Sequence, residues 1–385
     1  MSNLKVLFIN KQFQGIAMAQ MLTIFGSTLL SPILPVYLKV QGLSDSQIGL
    51  IIGISAFGAL IFRPWAGKNV DKRGSRPLIL VGQVLITISI SAFIWTSGFI
   101  PLLLTRLLQG IASSFYGTAA VTFASSIGSG QYAESAVAFY SVFTMLGMGI
   151  AASGGPLLFH ILDFQPLVFI SLVSLMIATC FFAARTVPIP PFPQKKRASF
   201  GVVLKSKEVF VPTVCLFASN FAFSAGFTYI PLYAMSLQIT SYSVFFVTFT
   251  VAVVSVRMGT QYINMRWSSE KSALIGSLLN VFSMVILAFG ANTFVFALVG
   301  ILIGLGFGII FPSMAGFVVS HTQPANRGTA LSILIASGDV GFALGASVLG
   351  GVADFLGYQV LFIVSTFVVL VCTCYYYQAF FYSKR

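Results

Sequence analysis

Apolar runs of about twenty residues recur along nearly the whole chain, interrupted only by short clusters of Lys, Arg, Pro and Gly. A helix of about 20 apolar residues crosses the hydrocarbon core, and it pairs its own backbone groups where lipid offers none. Only 8% of the 385 residues are charged and 57% are hydrophobic, whereas a soluble globule carries roughly a quarter charged residues. The chain is therefore expected to be an all-α membrane protein. Twelve spans would use roughly 240 to 280 residues, which leaves no room for a separate soluble domain.

Breaks made by charge, Pro and Gly place the twelve spans at about 14–38, 46–66, 77–97, 99–123, 135–160, 165–185, 209–234, 241–263, 271–290, 293–318, 328–350 and 356–381. One connection is long. Pro188-Ile189-Pro190-Pro191-Phe192-Pro193 followed by Gln194-Lys195-Lys196-Arg197 cannot continue a helix and reads as a linker. It divides a bundle at 1–185 from one at 209–385, with 186–208 between them on the cytoplasmic side. Shifting the sequence by 194 positions brings Arg63 onto Arg257, Leu108 onto Leu302 and Gly110 onto Gly304, which points to a duplicated, pseudo-symmetric pair of six-helix bundles.

Of the 21 basic residues, all but Lys39 and Arg106 are assigned to the side that holds both termini and the even-numbered connections. The excess of positive charge makes that side cytoplasmic, in a multi-pass protein of the cell membrane. The net charge of +13 is scattered in these short loops and does not suggest nucleic acid. Cys180, Cys215, Cys372 and Cys374 lie in apolar stretches and read as small buried hydrophobes. His160 and His321 fall at span ends and read as surface residues. No cluster suits a metal or cofactor, and no residue is assigned a catalytic role.

Three local patterns carry more specific chemistry. Gly67-Lys68-Asn69-Val70-Asp71-Lys72-Arg73-Gly74-Ser75-Arg76 follows the second span. Arg106 stands within the fourth span, in Thr105-Arg106-Leu107-Leu108-Gln109-Gly110, where a charge is costly unless it faces a cavity or a partner. Gly147-Met148-Gly149 through Ser153-Gly154-Gly155-Pro156 forms a small-residue helix ending in Gly-Pro. Among the 8 acids only Asp339 lies deep in a span, roughly 16 Å from its start. Burial and nearby charge there would push its affinity for a proton in opposite directions, which suits a group that alternates between two forms.

The first pattern resembles motif A of the major facilitator superfamily, in the position where that family carries it: Gly67, Asp71, Lys72, Gly74 and Arg76 match in type and spacing. Arg106 with Gln109-Gly110 is similar to motif B, and Gly147, Gly155 and Pro156 to motif C, of its 12-helix drug:proton antiporters. Phe159 and His160 depart from the usual Gly pair of motif C, and Gln261 and Met265 replace motif A's Gly and Asp in the second half.

The resemblance implies the major facilitator fold and alternating access, with Asp71 as a cytoplasmic latch and Arg106 and Asp339 as proton-coupling groups. Gln20, Gln109, Tyr116, Asn220 and Tyr229 are candidate cargo contacts. The expected function is proton-coupled export of a small amphiphilic molecule by a monomer whose partners are that cargo, protons and the bilayer. Three alternatives stay open: a dedicated siderophore or metallophore exporter, a sugar or nutrient symporter or uniporter, and an intramembrane enzyme or lipid scramblase. The last finds no catalytic pairing within the spans.

Overall fold

A computed structural model describes residues 10–127, 133–188, 200–323 and 326–382. Its helices are α1 (Lys11–Thr28), α2 (Leu34–Val40), α3 (Asp45–Arg73), α4 (Ser75–Ala92), α5 (Phe99–Ile127), α6 (Ala133–Phe159), α7 (Phe164–Arg185), α8 (Phe200–Leu204), α9 (Lys207–Ser236), α10 (Ser243–Arg266), α11 (Ser269–Phe289), α12 (Thr293–His321) and α13 (Arg327–Tyr377). The described residues contain no strand. Helix starts follow local chemistry: Asn10 accepts from the N–H groups of Gln12 and Phe13, Ser268 from Lys271, and Asn292 from Val295, each satisfying a donor that the first turn leaves unpaired.

Ten helical segments are long and apolar enough to span a bilayer. The segment 327–381 is too long for one crossing, and Gly357 at φ 84° breaks α13 into two. With α1 this gives the twelve spans expected from sequence. Large apolar side chains such as Val84, Ile88, Phe282 and Val371 point outward, as a lipid surround requires.

The first span, expected to be continuous over 14–38, is instead interrupted between Thr28 and Leu34, where Pro32 and Pro35 each remove a backbone donor. The segment 67–73, expected in a loop, completes α3, so the break in motif A is Gly74 alone. Cys215 is buried, but Cys180 and Cys374 are exposed and Cys372 half-buried. In lipid an apolar stretch has no need to face inward, which overturns the expectation that all four are buried. Part of the linker, residues 189–199, lies outside the described residues, as do the side chains of Gln261 and Met265.

The chain forms two compact units. One comprises Met1–Tyr37 and Phe57–Gln194; the other, Leu38–Ala56 and Lys195–Arg385. In the first, α1 packs on α6 and α7, and α4 on α5; in the second, α9 packs on α13, while α10 and α11 pack on α12.

Candidate functional site

Gly74 joins α3 to α4 with φ 81°, a left-handed conformation that a side chain would strain. No such demand exists at Gly67, where an added Cβ would meet nothing. Asp71 and Lys72 stand in the last turn of α3, Lys72 exposed. Arg76 reaches α7, donating to the Ala183 carbonyl at 3.1 Å and to Thr186 Oγ1 at 3.3 Å. It thereby serves a carbonyl left unpaired at the C-terminal end of that helix.

Gly147 and Gly155 lie on one side of α6, where a Cβ would collide with the backbone carbonyls of Met21 and Leu29 respectively. The absence of side chains lets α6 lie directly on α1. Pro156 does not end the helix, which continues to Phe159.

Two cargo candidates meet inside the N-terminal unit. The Tyr116 hydroxyl donates to Gln20 Oε1 at 2.7 Å, and Gln20 Nε2 donates to Thr144 Oγ1 at 2.9 Å. Gln20 and Tyr116 are 4% and 3% exposed, so both ends of the Gln20 amide are taken by protein partners. Gln83, which sequence reading did not single out, joins the same interior by donating to Thr23 Oγ1 at 3.1 Å. A glutamine on α4 amid apolar neighbours was the available signal. Arg106 is 7% exposed and donates to Gln109 one turn along α5. Its Nε is buried with no hydrogen-bond partner among the described residues.

The other unit holds Asn220, Tyr229 and Asp339. Gly338, Gly341 and Gly345 bring α13 against α9: a Cβ at Gly338 would stand 2.9 Å from Asn220 Nδ2, one at Gly341 would collide with the Phe217 carbonyl, and one at Gly345 would lie 2.9 Å from the Phe221 carbonyl. Asn220 itself donates to the Leu216 carbonyl at 3.0 Å, and Ser224 Oγ to the Phe342 carbonyl at 2.9 Å. The Tyr229 hydroxyl donates to the Ala346 carbonyl of α13. Asp339, half-buried, lies twelve residues into α13, about 18 Å along it. Arg257 lies inside α10, about 14 Å before its end, with its guanidinium 5.5 Å from the Phe311 ring.

Sequence reading also missed a polar junction at the start of α3. The Asp354 carboxylate accepts from the N–H groups of Asp45 and Ser46, each at 2.8 Å, and from the Ser46 hydroxyl. Lys39 Nζ pairs with Asp45 at 2.7 Å. A separation of more than 300 residues hid this from any local pattern.

Helices of spanning length, interior Gly contacts and isolated polar groups within the spans define a multi-pass helical membrane protein. A sequence model of the Major Facilitator Superfamily matches residues 16–268 and 240–384, and the chain belongs to that family of membrane transporters for small molecules. It is 24% identical over 364 residues to the staphylopine export protein of Staphylococcus aureus, covering 90% of each chain. Its fold is similar to that of the nucleoside transporter NupG, with TM-score 0.73, 16% identity and 96% and 99% of the two chains covered. It is also similar to an inward-facing bacterial homologue of the human lysosomal transporter Spinster, with TM-score 0.75, 12% identity and 96% of each chain covered.

Proposed function

We propose that this transporter is a proton-coupled exporter of a small amphiphilic molecule, residing in the cell membrane as a monomer with both termini cytoplasmic. The observation that carries the reading is the sparse charge within the spans. A single acid, Asp339, lies deep in a helix, and Arg106 is buried in the opposite half of the sequence. A carboxyl in that setting can take up a proton from one side and lose it to the other as its surroundings alternate between wet and dry. The bundles at 1–185 and 209–385, joined by the 186–208 linker, would expose the cargo site to each side in turn.

Asp71 would act as the cytoplasmic latch. A carboxylate in the last turn of α3 stands at the negative end of its own helix dipole, where Lys72 and Arg73 are favoured and an acid is not. Its charge is better used on a positive helix start elsewhere, as motif A implies for the start of α13. Gln20, Gln109, Tyr116, Asn220 and Tyr229 would contact cargo, and Gly147, Gly155 and Pro156 would hold α6 in place.

Similarity to a staphylopine exporter over 90% of the chain favours, as a second reading, a dedicated metallophore exporter over a broad drug exporter. Comparing by mass spectrometry the solutes released by cells with and without the protein, with and without a protonophore, tests both. Release that depends on the protein and collapses with the proton gradient is expected; release unaffected by the protonophore removes proton coupling. Net uptake would replace export with import.

A further inference from the structure

We propose that the segment 38–56 is a detachable clasp, closed in this structure, whose release from α13 is a step of the transport cycle. The inference rests on the alternating-access reading and adds to it a device at the end of α3 opposite motif A.

One continuous helix serves both units. Residues 45–56 of α3 group with the second unit and residues 57–73 with the first. Within the second unit, the first stretch is held along a seam with α13. A Cβ at Gly49 would collide with the Ala346 carbonyl, one at Gly53 with Ser347 Oγ, and one at Gly350 with the Asp45 carbonyl. Small residues on both helices let the backbones touch along this line, so parting them there pulls no side-chain knob out of a hole.

The tip of the seam is polar. Asp354 stands exposed and accepts from the N–H groups of Asp45 and Ser46 and from the Ser46 hydroxyl, while Lys39 pairs with Asp45. A carboxylate at the positive start of a helix favours closure. Water serves the same donors and acceptors once they part, so the net cost of breaking such bonds at the surface is modest. A contact that is well aimed yet inexpensive to break suits a reversible clasp better than a permanent joint.

Motif A repeats the device in reverse. Asp71 stands in the last turn of α3, about 39 Å along the helix from Asp45, and the motif implies that it serves the start of α13. Each helix then offers an acid from beyond its start to the start of the other. Alternation makes one contact as it breaks the other, a switch between two packed arrangements. Tyr229, a proposed cargo contact, is 0% exposed behind the seam, where a Cβ at Gly49 would meet its hydroxyl. Release of the clasp would uncover it.

The test uses the purified full chain in lipid nanodiscs with Ser347→Cys as reporter, because Ser347 Oγ is buried against Gly53. The rate at which a water-soluble maleimide reacts at that site, followed by peptide mass spectrometry, measures opening. Asp354→Asn, which keeps the shape and removes the charge, should raise the rate about 2- to 30-fold, the range for losing a helix cap. If Asp354→Asn does not reach the membrane, Ser46→Ala decides, with a rise of about 2- to 10-fold for one hydrogen bond. Asp71→Asn should lower the rate, since losing the opposite latch favours the arrangement in which the clasp is shut. A second measurement asks whether opening matters. Ser46→Cys with Asp354→Cys puts two thiols where the side chains now touch. Tying them with an oxidant or a short bis-maleimide in cells should stop the solute release that the wild-type chain gives, and reduction of the disulfide should restore it.

A labelling rate that the cap variants leave unchanged overturns the clasp, as does undiminished release by the tied protein. A rate that rises with Asp354→Asn and ignores Asp71→Asn, with release stopped by the tie, keeps the clasp and removes the latch at Asp71. If the wild-type chain releases nothing, the export reading fails by itself, while the labelling rates still decide whether the clasp opens.

Discussion

Asp354 caps Ser46: its carboxylate takes both the backbone N–H, at 2.8 Å, and the hydroxyl of that residue, and also accepts the N–H of Asp45. Two of the unpaired donors in the first turn of α3 are thus satisfied from α13, a third, the Gln47 N–H, by Ser44 Oγ, and the acid sits at the positive end of the helix dipole.

Removing this cap should loosen the segment 38–56 from the unit it packs with. Asp354→Ala is expected to cost about 0.5 to 2 kcal/mol, the range for losing a helix cap. Hydrogen exchange at the amides of Asp45 and Ser46 should rise, while exchange in α4, which belongs to the other unit, stays unchanged. Unaltered protection at both amides would show that the cap contributes nothing. Ser46→Ala, which removes one of the three donors, should have the smaller effect.

The α9–α13 contact is set by backbone. Gly341→Val should destabilise the protein by at least about 1 to 3 kcal/mol, since its Cβ meets the Phe217 carbonyl rather than a movable side chain. Gly67→Ala, where a Cβ meets open space, should leave thermal stability within about 0.5 kcal/mol of wild type. Thermal unfolding of the two purified variants compares them directly, and equal stability would argue against a tight α9–α13 seam.

Gly74 separates motif A into a conformational and an electrostatic part. Gly74→Ala forces a Cβ into φ 81° and should cost about 1 to 2 kcal/mol. Asp71→Asn should leave stability nearly intact and slow transport, with engineered cysteines on the cytoplasmic side becoming more accessible. If Asp71→Asn is as unstable as Gly74→Ala and transports normally per folded molecule, the latch assignment is wrong.

Asp339→Asn should abolish release against a gradient while cargo exchange down its own gradient continues in proteoliposomes. Full gradient-driven release by Asp339→Asn would make this acid structural.

Much of the fold was legible from the chain because each span must satisfy its own backbone in lipid, so length and apolarity mark it locally. The boundaries that shifted did so for local reasons: Pro32 and Pro35 broke the first span, and Gly74 proved to be the entire turn in motif A. Arg106 and Asp339 were visible because a charge in an apolar run stands out. Gln83 was harder to see, since an amide costs less to bury than a charge.

Sequence alone determined that this chain is a twelve-span helical membrane protein, because covalent order fixes where apolar runs begin and end. Tertiary structure decided which polar groups meet: Tyr116 with Gln20, Arg76 with the end of α7, and Asp354 with the start of α3. Those pairings join residues tens to hundreds of positions apart, and their energies depend on distance and desolvation that no local spacing encodes.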